Sequence, residues 1–348
     1  MHLAIVGAGV AGLAAARALR RLRFDVDITI YEQDERIGGR VATGRRAGFA
    51  FDHGAQVIKT PSPGVERLLL EELPAGELRR MALPVWTFDA SGAISPGDPA
   101  LNAEPSWYYA GGNDRLAELL AEGLNLRRGV RVDRLNVQRS NVERSMEYYL
   151  RAADGSTVGV ADVVLLTPPA PLSAAIVAAS DIDAGLRDQL LAELRCAAYR
   201  RCVSLALAYD RPLELPFYAL VNADRAHPIA WLALEHAKGP ERCPPGHSLL
   251  VAQMAPGWSE ARWDAPTDAV APEVARLAGE LLGADLGAPL WWERRDWRHA
   301  LPDAGCDIEM LNRAGGGLLF AGDYGGQGRV HLAIESGWRV ARWISTML

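Results

Sequence analysis

Residues 2–32 read HLAIVGAGVAGLAAARALRRLRFDVDITIYE, and this stretch decides the fold. The apolar run from His2 to Val6 is a strand. Gly7, Gly9 and Gly12 then form GxGxxG, an Ala/Leu/Arg-rich helix runs through Arg23, and Ile28 and Ile30 mark a second strand ending at Glu32. Each glycine has its own reason: Gly7 permits the tight turn, Gly9 lets main chain approach a pyrophosphate, and Gly12 allows close helix–strand packing. The helix N-terminus adds amide donors and a partial positive charge. Glu32, about 20 positions past the glycines, is placed to accept from a ribose hydroxyl. GxGxxG alone is a weak signal, but strand, turn, helix and this acid together predict a dinucleotide site in an α/β fold.

Outward from that unit the chain becomes loop-rich, with prolines at 61, 63, 74, 84, 96, 99 and 105 interrupting any long element. Asn113 is a predicted N-cap for a helix with Leu116, Leu119 and Leu120 on one face. Alternating strands follow at 129–137 and 146–152, with Asp154-Gly155 as a hairpin turn. The continuous apolar run Ala161 to Leu166 predicts a buried parallel strand meeting a loop at Thr167. Strand-like Val203 to Tyr209 and Ser248 to Met254 belong to a second module, and Gly317 to Ala321 is the final strand before a glycine-rich loop and a helix. The pattern predicts a dinucleotide-binding domain of 1–58, 111–172 and 291–348, interleaved with an α+β substrate domain of 59–110 and 173–290.

Bulk properties narrow the function. The 348 residues include 49% hydrophobic and 23% charged side chains, an ordinary globular composition. A formal net charge of -6 gives no basic field for a nucleic-acid backbone. Cys196, Cys202, Cys243 and Cys306 form no CxxC and no metal-like spacing, so the cysteines read as reduced and structural and no metal is expected. No apolar run reaches the roughly 18 residues of a membrane span. With a strand starting at His2, no leader fits before the fold, and a cytoplasmic location without membrane attachment is the expectation.

Glu32 is followed by Arg36-Ile-Gly-Gly-Arg40. Here the sequence resembles the flavin amine oxidase superfamily, whose members use FAD. The resemblance implies that Gly39 lies beside the FAD diphosphate and that Arg40 faces its charge or the flavin, for which a guanidinium fork is suited. Phe51-Asp-His-Gly-Ala-Gln-Val57 is similar to the segment that passes beside the flavin in renalase-like proteins, which makes Gln56 and Val57 implied contacts; His53 is open to a structural or a catalytic reading. In Leu319-Phe-Ala-Gly-Asp323 the resemblance gives Gly322 and Asp323 to the ribityl or diphosphate region, and the helix opening near Val330 to the flavin edge. Ala11, Gln33, Val130 near adenine and Thr167 complete the implied cofactor set. The motifs run in the family's order from residue 3 to about 340.

Length, the DHGAQ segment and Arg295-Asp-Trp-Arg-His-Ala-Leu-Pro302 favour a renalase-like member. Such enzymes oxidise misreduced dihydro-NAD(P) isomers, pass hydride to flavin N5 and reduce O2 to hydrogen peroxide, which asks for positioning more than acid–base help. Amine oxidases place a lysine late in the chain near the flavin; the two lysines here, Lys59 and Lys238, lie elsewhere. No catalytic group is evident, and Trp297, His299, Trp231 and Tyr109 are candidate walls for a flat substrate ring. The alternatives are an amine oxidase or desaturase-like oxidase with a hydrophobic substrate, and an FAD-binding protein without turnover. With no second GxGxxG and no CxxC, a disulfide reductase with its own NADPH site is not expected; with no attachment motif FAD is expected to be dissociable, and the resemblance implies O2 as the acceptor.

Overall fold

A computed structural model describes residues 1–22, 25–139 and 146–347. Short apolar runs separated by turns become the buried strands of a five-stranded parallel sheet, in the order Asn125–Arg127, Asp27–Tyr31, His2–Val6, Val163–Leu166, Leu318–Phe320. In chain order this is 3-2-1-4-5, so the direction of winding reverses between His2–Val6 and Val163–Leu166. Ligands of open α/β sheets bind beyond the carboxyl ends of the strands at such a reversal, and those ends carry Gly7 and Thr167.

This sheet belongs to one of two compact units, formed by Met1–Gly39, Leu116–Tyr199 and Leu301–Leu348. The helices Val10–Leu22 and Val330–Met347 meet closely: a Cβ on Gly337 would lie 2.3 Å from the Ala11 carbonyl oxygen. An antiparallel sheet of Arg134–Arg139, Met146–Arg151 and Thr157–Ala161 buries Leu135, Tyr148 and Leu150 against Val164 and Leu166. Helices Ala170–Ala179 and Ala184–Leu194 close that core with Ile176, Leu190 and Leu194.

The second unit comprises Arg40–Arg115 and Arg200–Ala300. Its seven-stranded sheet runs Trp291–Ala304, Ala198–Tyr209, Ser248–Met254, Ile229–Leu234, Ala219–Asn222, Val85–Phe88, Ile94–Ser95. Helix Thr267–Leu282 packs Val270, Val274 and Leu281 against Leu205, Leu232 and Leu250. The alternate residues Ala206, Ala208, Ala233 and Val251 pack instead with Phe49, Phe51 and Tyr218.

Several limits differ from the sequence reading. Residues 40–58 cluster with the second unit because Phe49 and Phe51 are part of its core and Arg40 bonds the carbonyls of His299 and Ala300. Residues 173–199 join the first unit through their two helices, and 291–300 form the edge of the large sheet. The strand expected from 129 starts at Arg134. Asn113 is not a side-chain N-cap: its Nδ2 donates to the carbonyls of Ala55 and Gln56, and Thr43 Oγ1 accepts from the Asp114 N–H at 3.2 Å. A cap position and a buried clamp ask for the same amide, and sequence does not distinguish them.

Candidate functional site

In the first unit the glycine turn is built tightly. Gly7 has φ +102° and donates to the Tyr31 carbonyl at 2.8 Å, and a Cβ on it would come within 2.6 Å of Thr167 Oγ1. Thr167 in turn holds the turn from the other side, its hydroxyl 2.9 and 3.0 Å from the Val6 and Gly7 carbonyls. A Cβ on Gly12 would lie 2.3 Å from the Gly7 oxygen, whereas one on Gly9 would meet nothing within 4 Å. Gly9 therefore borders open space at the start of the Val10–Leu22 helix, whose first amides have no intrahelical acceptor. Gly38 bridges to Gly9, and Gly38 N–H donates to the Ala8 carbonyl at 2.9 Å, bringing Gly39 alongside; Ala11 is buried in the same helix.

Glu32 stands at the end of its strand, accepting from the Ala8 N–H at 2.8 Å and the Asp34 N–H at 3.0 Å. Burial raises its pKa from the ordinary value in spite of these bonds. Its carbonyl accepts from Val130 N–H at 2.9 Å, which sets Val130 beside it; Gln33 is exposed. Asp323 is buried and its Oδ1 accepts from the Tyr199 hydroxyl at 2.9 Å. Gly322, at φ +150°, donates to Ser336 Oγ at 3.0 Å, and Val330 opens the last helix. An open cradle at Gly9 with unpaired helix amides as donors, and two carboxylates as acceptors, fit a dinucleotide diphosphate and its hydroxyl-bearing arms.

The second unit holds the other named residues. Arg40 Nη1 lies 3.4 and 3.2 Å from the carbonyls of His299 and Ala300. Gln56 is buried with both ends of its amide used, Oε1 accepting from Tyr218 at 3.1 Å and Nε2 donating to the Asp52 carbonyl. Val57 is half-buried. His53 packs edge-on to Phe51 and lies 3.5 Å from Glu293. Trp297 and His299 share one face of the Trp291–Ala304 strand; Trp297 donates to the His53 carbonyl at 3.2 Å under the Arg295 guanidinium. Trp231 is half-buried edge-on to Tyr218, whereas Tyr109 is fully enclosed and offers no ring surface.

Four fully buried charges come together, none of them named in the sequence as a site residue: Asp52, Glu235, Lys238 and Arg242. Lys238 Nζ is 2.7 Å from Asp52 and 2.8 Å from Glu235, and Arg242 Nη1 is 2.6 Å from Glu235 and 3.0 Å from Asp52. The two acids share cations yet shift in opposite directions. Burial would raise Asp52, but the charges of Lys238 and Arg242 and hydrogen bonds from Lys238 and Thr43 overcome it and hold the carboxyl well below 3.8. Burial wins at Glu235, whose Oε2 finds no partner among the described residues. Asp52 sat unmarked within the DHGAQ stretch, and the sequence reading assigned no role to Glu235 or Arg242.

The profile of flavin-containing amine oxidoreductases matches residues 98–345, well over half the chain, and that of NAD(P)-binding Rossmann-like domains matches residues 5–72. The chain belongs to the flavin-containing amine oxidoreductase family. It is an enzyme, an oxidoreductase, and its cofactor is FAD. Among curated relatives, 72 residues are 42% identical to a 4,4'-diapophytoene desaturase of Staphylococcus haemolyticus, covering 21% of this chain and 14% of the desaturase. A stretch of 68 residues is 39% identical to protoporphyrinogen oxidase 2 of Arabidopsis thaliana, covering 20% and 13%. The chain thus matches only a small part of these relatives' length. Solved structures match along the whole chain: a candidate protoporphyrinogen oxidase from Exiguobacterium sp. 255-15 (TM-score 0.76, 19% identity, 100% and 99% covered) and cyclohexylamine oxidase from Brevibacterium oxydans IH-35A (0.72, 16%, 99% and 99%). At these identities they show the shared fold. No helix among the described residues is long and apolar enough to cross a membrane.

Proposed function

We propose that this family member is a renalase-like oxidase that takes hydride from misreduced dihydro-NAD(P) isomers. The electrons pass to O2 with one proton from solvent, giving NAD(P)+ and hydrogen peroxide. FAD, when bound, supplies the hydride acceptor at N5 and the reaction with oxygen. The observation that carries the reading is the fate of the two lysines. Lys238 is enclosed between Asp52 and Glu235, and Lys59 pairs with Glu104 at 3.0 Å, so each is committed to a carboxylate. A substrate that becomes aromatic on losing hydride needs no such base, only a ring held in place.

In this reading the first unit's Gly7, Gly9, Ala11, Gly12 and Gly39 take the FAD diphosphate, Glu32 and Gln33 its ribose, Val130 the adenine side and Thr167, Gly322, Asp323 and Val330 the ribityl and flavin side. Arg40, Gln56 and Val57 are the further proposed FAD contacts, and Trp297 with His299 offers a wall for the substrate ring. Cytoplasmic location and dissociable FAD are part of the same proposal. A flavin amine oxidase or desaturase-like oxidase with a hydrophobic substrate is the second reading, favoured by the desaturase match. Anaerobic mixing with 1,2- and 1,6-dihydro-NAD isomers tests it: rapid bleaching at about 450 nm that recovers on admitting oxygen is expected, with ordinary NADH slow. Absence of bleaching by either isomer sends the search to amines and isoprenoids.

A further inference from the structure

The carbonyls of Asp52 to Gln56 are all taken up within the second unit. Gln56 Nε2 serves Asp52, Gln253 Nε2 and Trp297 Nε1 serve His53 at 3.2 Å each, Gln253 serves Gly54 at 2.6 Å, and Asn113 Nδ2 serves Ala55 at 2.9 Å and Gln56 at 3.2 Å. The amides are used differently. Ala55 N–H donates to the Arg40 carbonyl at 2.9 Å, but the N–H groups of Gly54, Gln56 and Val57 reach no acceptor among the described residues. Gln56 is only 6% exposed, so its amide is not simply left to bulk water. Main chain with its acceptors saturated and its donors open presents hydrogen-bond donors to an electron-rich partner.

The buried charges lead into this stretch by a continuous route. Lys238 and Arg242 fix Asp52; Asp52 Oδ1 accepts from the Asn113 N–H at 2.9 Å; and Asn113 holds the Ala55 and Gln56 carbonyls. The main-chain N–H of Asp52 itself donates to Glu235 Oε1 at 3.2 Å. Two acids and two bases cancel in charge, and such a cluster adds little net stability over apolar packing, but it is directional. We propose that the Asp52–Glu235–Lys238–Arg242 cluster is a positioning device that holds the Gly54–Val57 main chain so that its open amides can serve the FAD that Gln56 and Val57 are proposed to contact. The inference rests on the proposed contact of Gln56 and Val57 with FAD. It adds which side chains impose that geometry.

The test follows flavin rather than turnover. In Lys238→Met, FAD release from diluted holoenzyme should increase roughly tenfold, and the flavin absorption band should shift. Lys238→Arg should restore most of both. Tyr218→Phe, which removes the hydroxyl on Gln56 Oε1 and leaves all four charges, should shift the band with little change in melting temperature. Folded Lys238→Met protein with wild-type FAD release and an unshifted band overturns the proposal. Should that variant fail to fold, wild-type FAD release and an unshifted band in Asn113→Ala, which removes the amide that holds the Ala55 and Gln56 carbonyls, overturn it instead. No substrate enters these readouts, so failure of the dihydronicotinamide reading leaves them intact.

Discussion

Gly12 has room for a hydrogen and nothing larger, because a Cβ would sit 2.3 Å from the Gly7 oxygen, which is main chain and cannot swing away. Gly12→Ala should cost about 1–3 kcal/mol, the range of overpacking, and the purified protein should lose its yellow colour. Flavin content and thermal melting check both. Tyr199 acts through Asp323: removing its hydroxyl leaves the buried carboxylate short of one donor at 2.9 Å. Tyr199→Phe should therefore weaken FAD retention by roughly tenfold, in line with a lost hydrogen bond to a charged group of about 1.5–3 kcal/mol, as equilibrium dialysis would show. Arg40→Ala should also lose FAD, and full flavin content in that variant removes Arg40's proposed role. At this scale the tight glycine turn and the strand end before Glu32 were legible because glycine conformations and strand ends leave a sequence signature. Tyr199 was not, since nothing in its neighbours announces a carboxylate more than a hundred positions away.

Elements were legible where one period or one turn fixed them. Strand Asp27–Tyr31, strand Ser248–Met254 and the hairpin at Asp154-Gly155, where Ser156 N–H donates to Asp154, stand where the sequence puts them. The capping reading of Asn113 missed because the residue's partners, Ala55 and Gln56, come from another part of the chain. How elements meet is likewise a tertiary matter. The last helix approaches the first at Gly337, where a Cβ would also lie 2.9 Å from the Ala15 nitrogen. Gly337→Leu should push these helices apart and lower stability by about 2–3 kcal/mol, while the neighbouring exposed Arg339→Leu should change it little. Denaturant unfolding of the two variants checks the contrast.

For the molecule as a whole, the buried charges set an acid limit. Asp52 has a folded pKa below its ordinary 3.8, so its stabilising contribution is complete above that value and is lost as pH falls through the depressed one. Melting temperature should fall steeply once pH drops below about 4, and the loss should be smaller in Thr43→Val, where Asp52 has already lost a donor. Equal acid sensitivity in the two proteins would detach the effect from Asp52. By itself the sequence determined the parallel sheet, the glycine turn and its acid, and the order of motifs that places the chain among flavin-dependent oxidoreductases, because those features depend on local period, on glycine conformations and on residues close in the chain. Only the tertiary structure decided that residues 40–58 belong with the second unit and that Asp52, Glu235, Lys238 and Arg242 share one buried cluster. Charges up to 190 positions apart are joined by topology, and taking them out of water is tolerable only once their partners are in place.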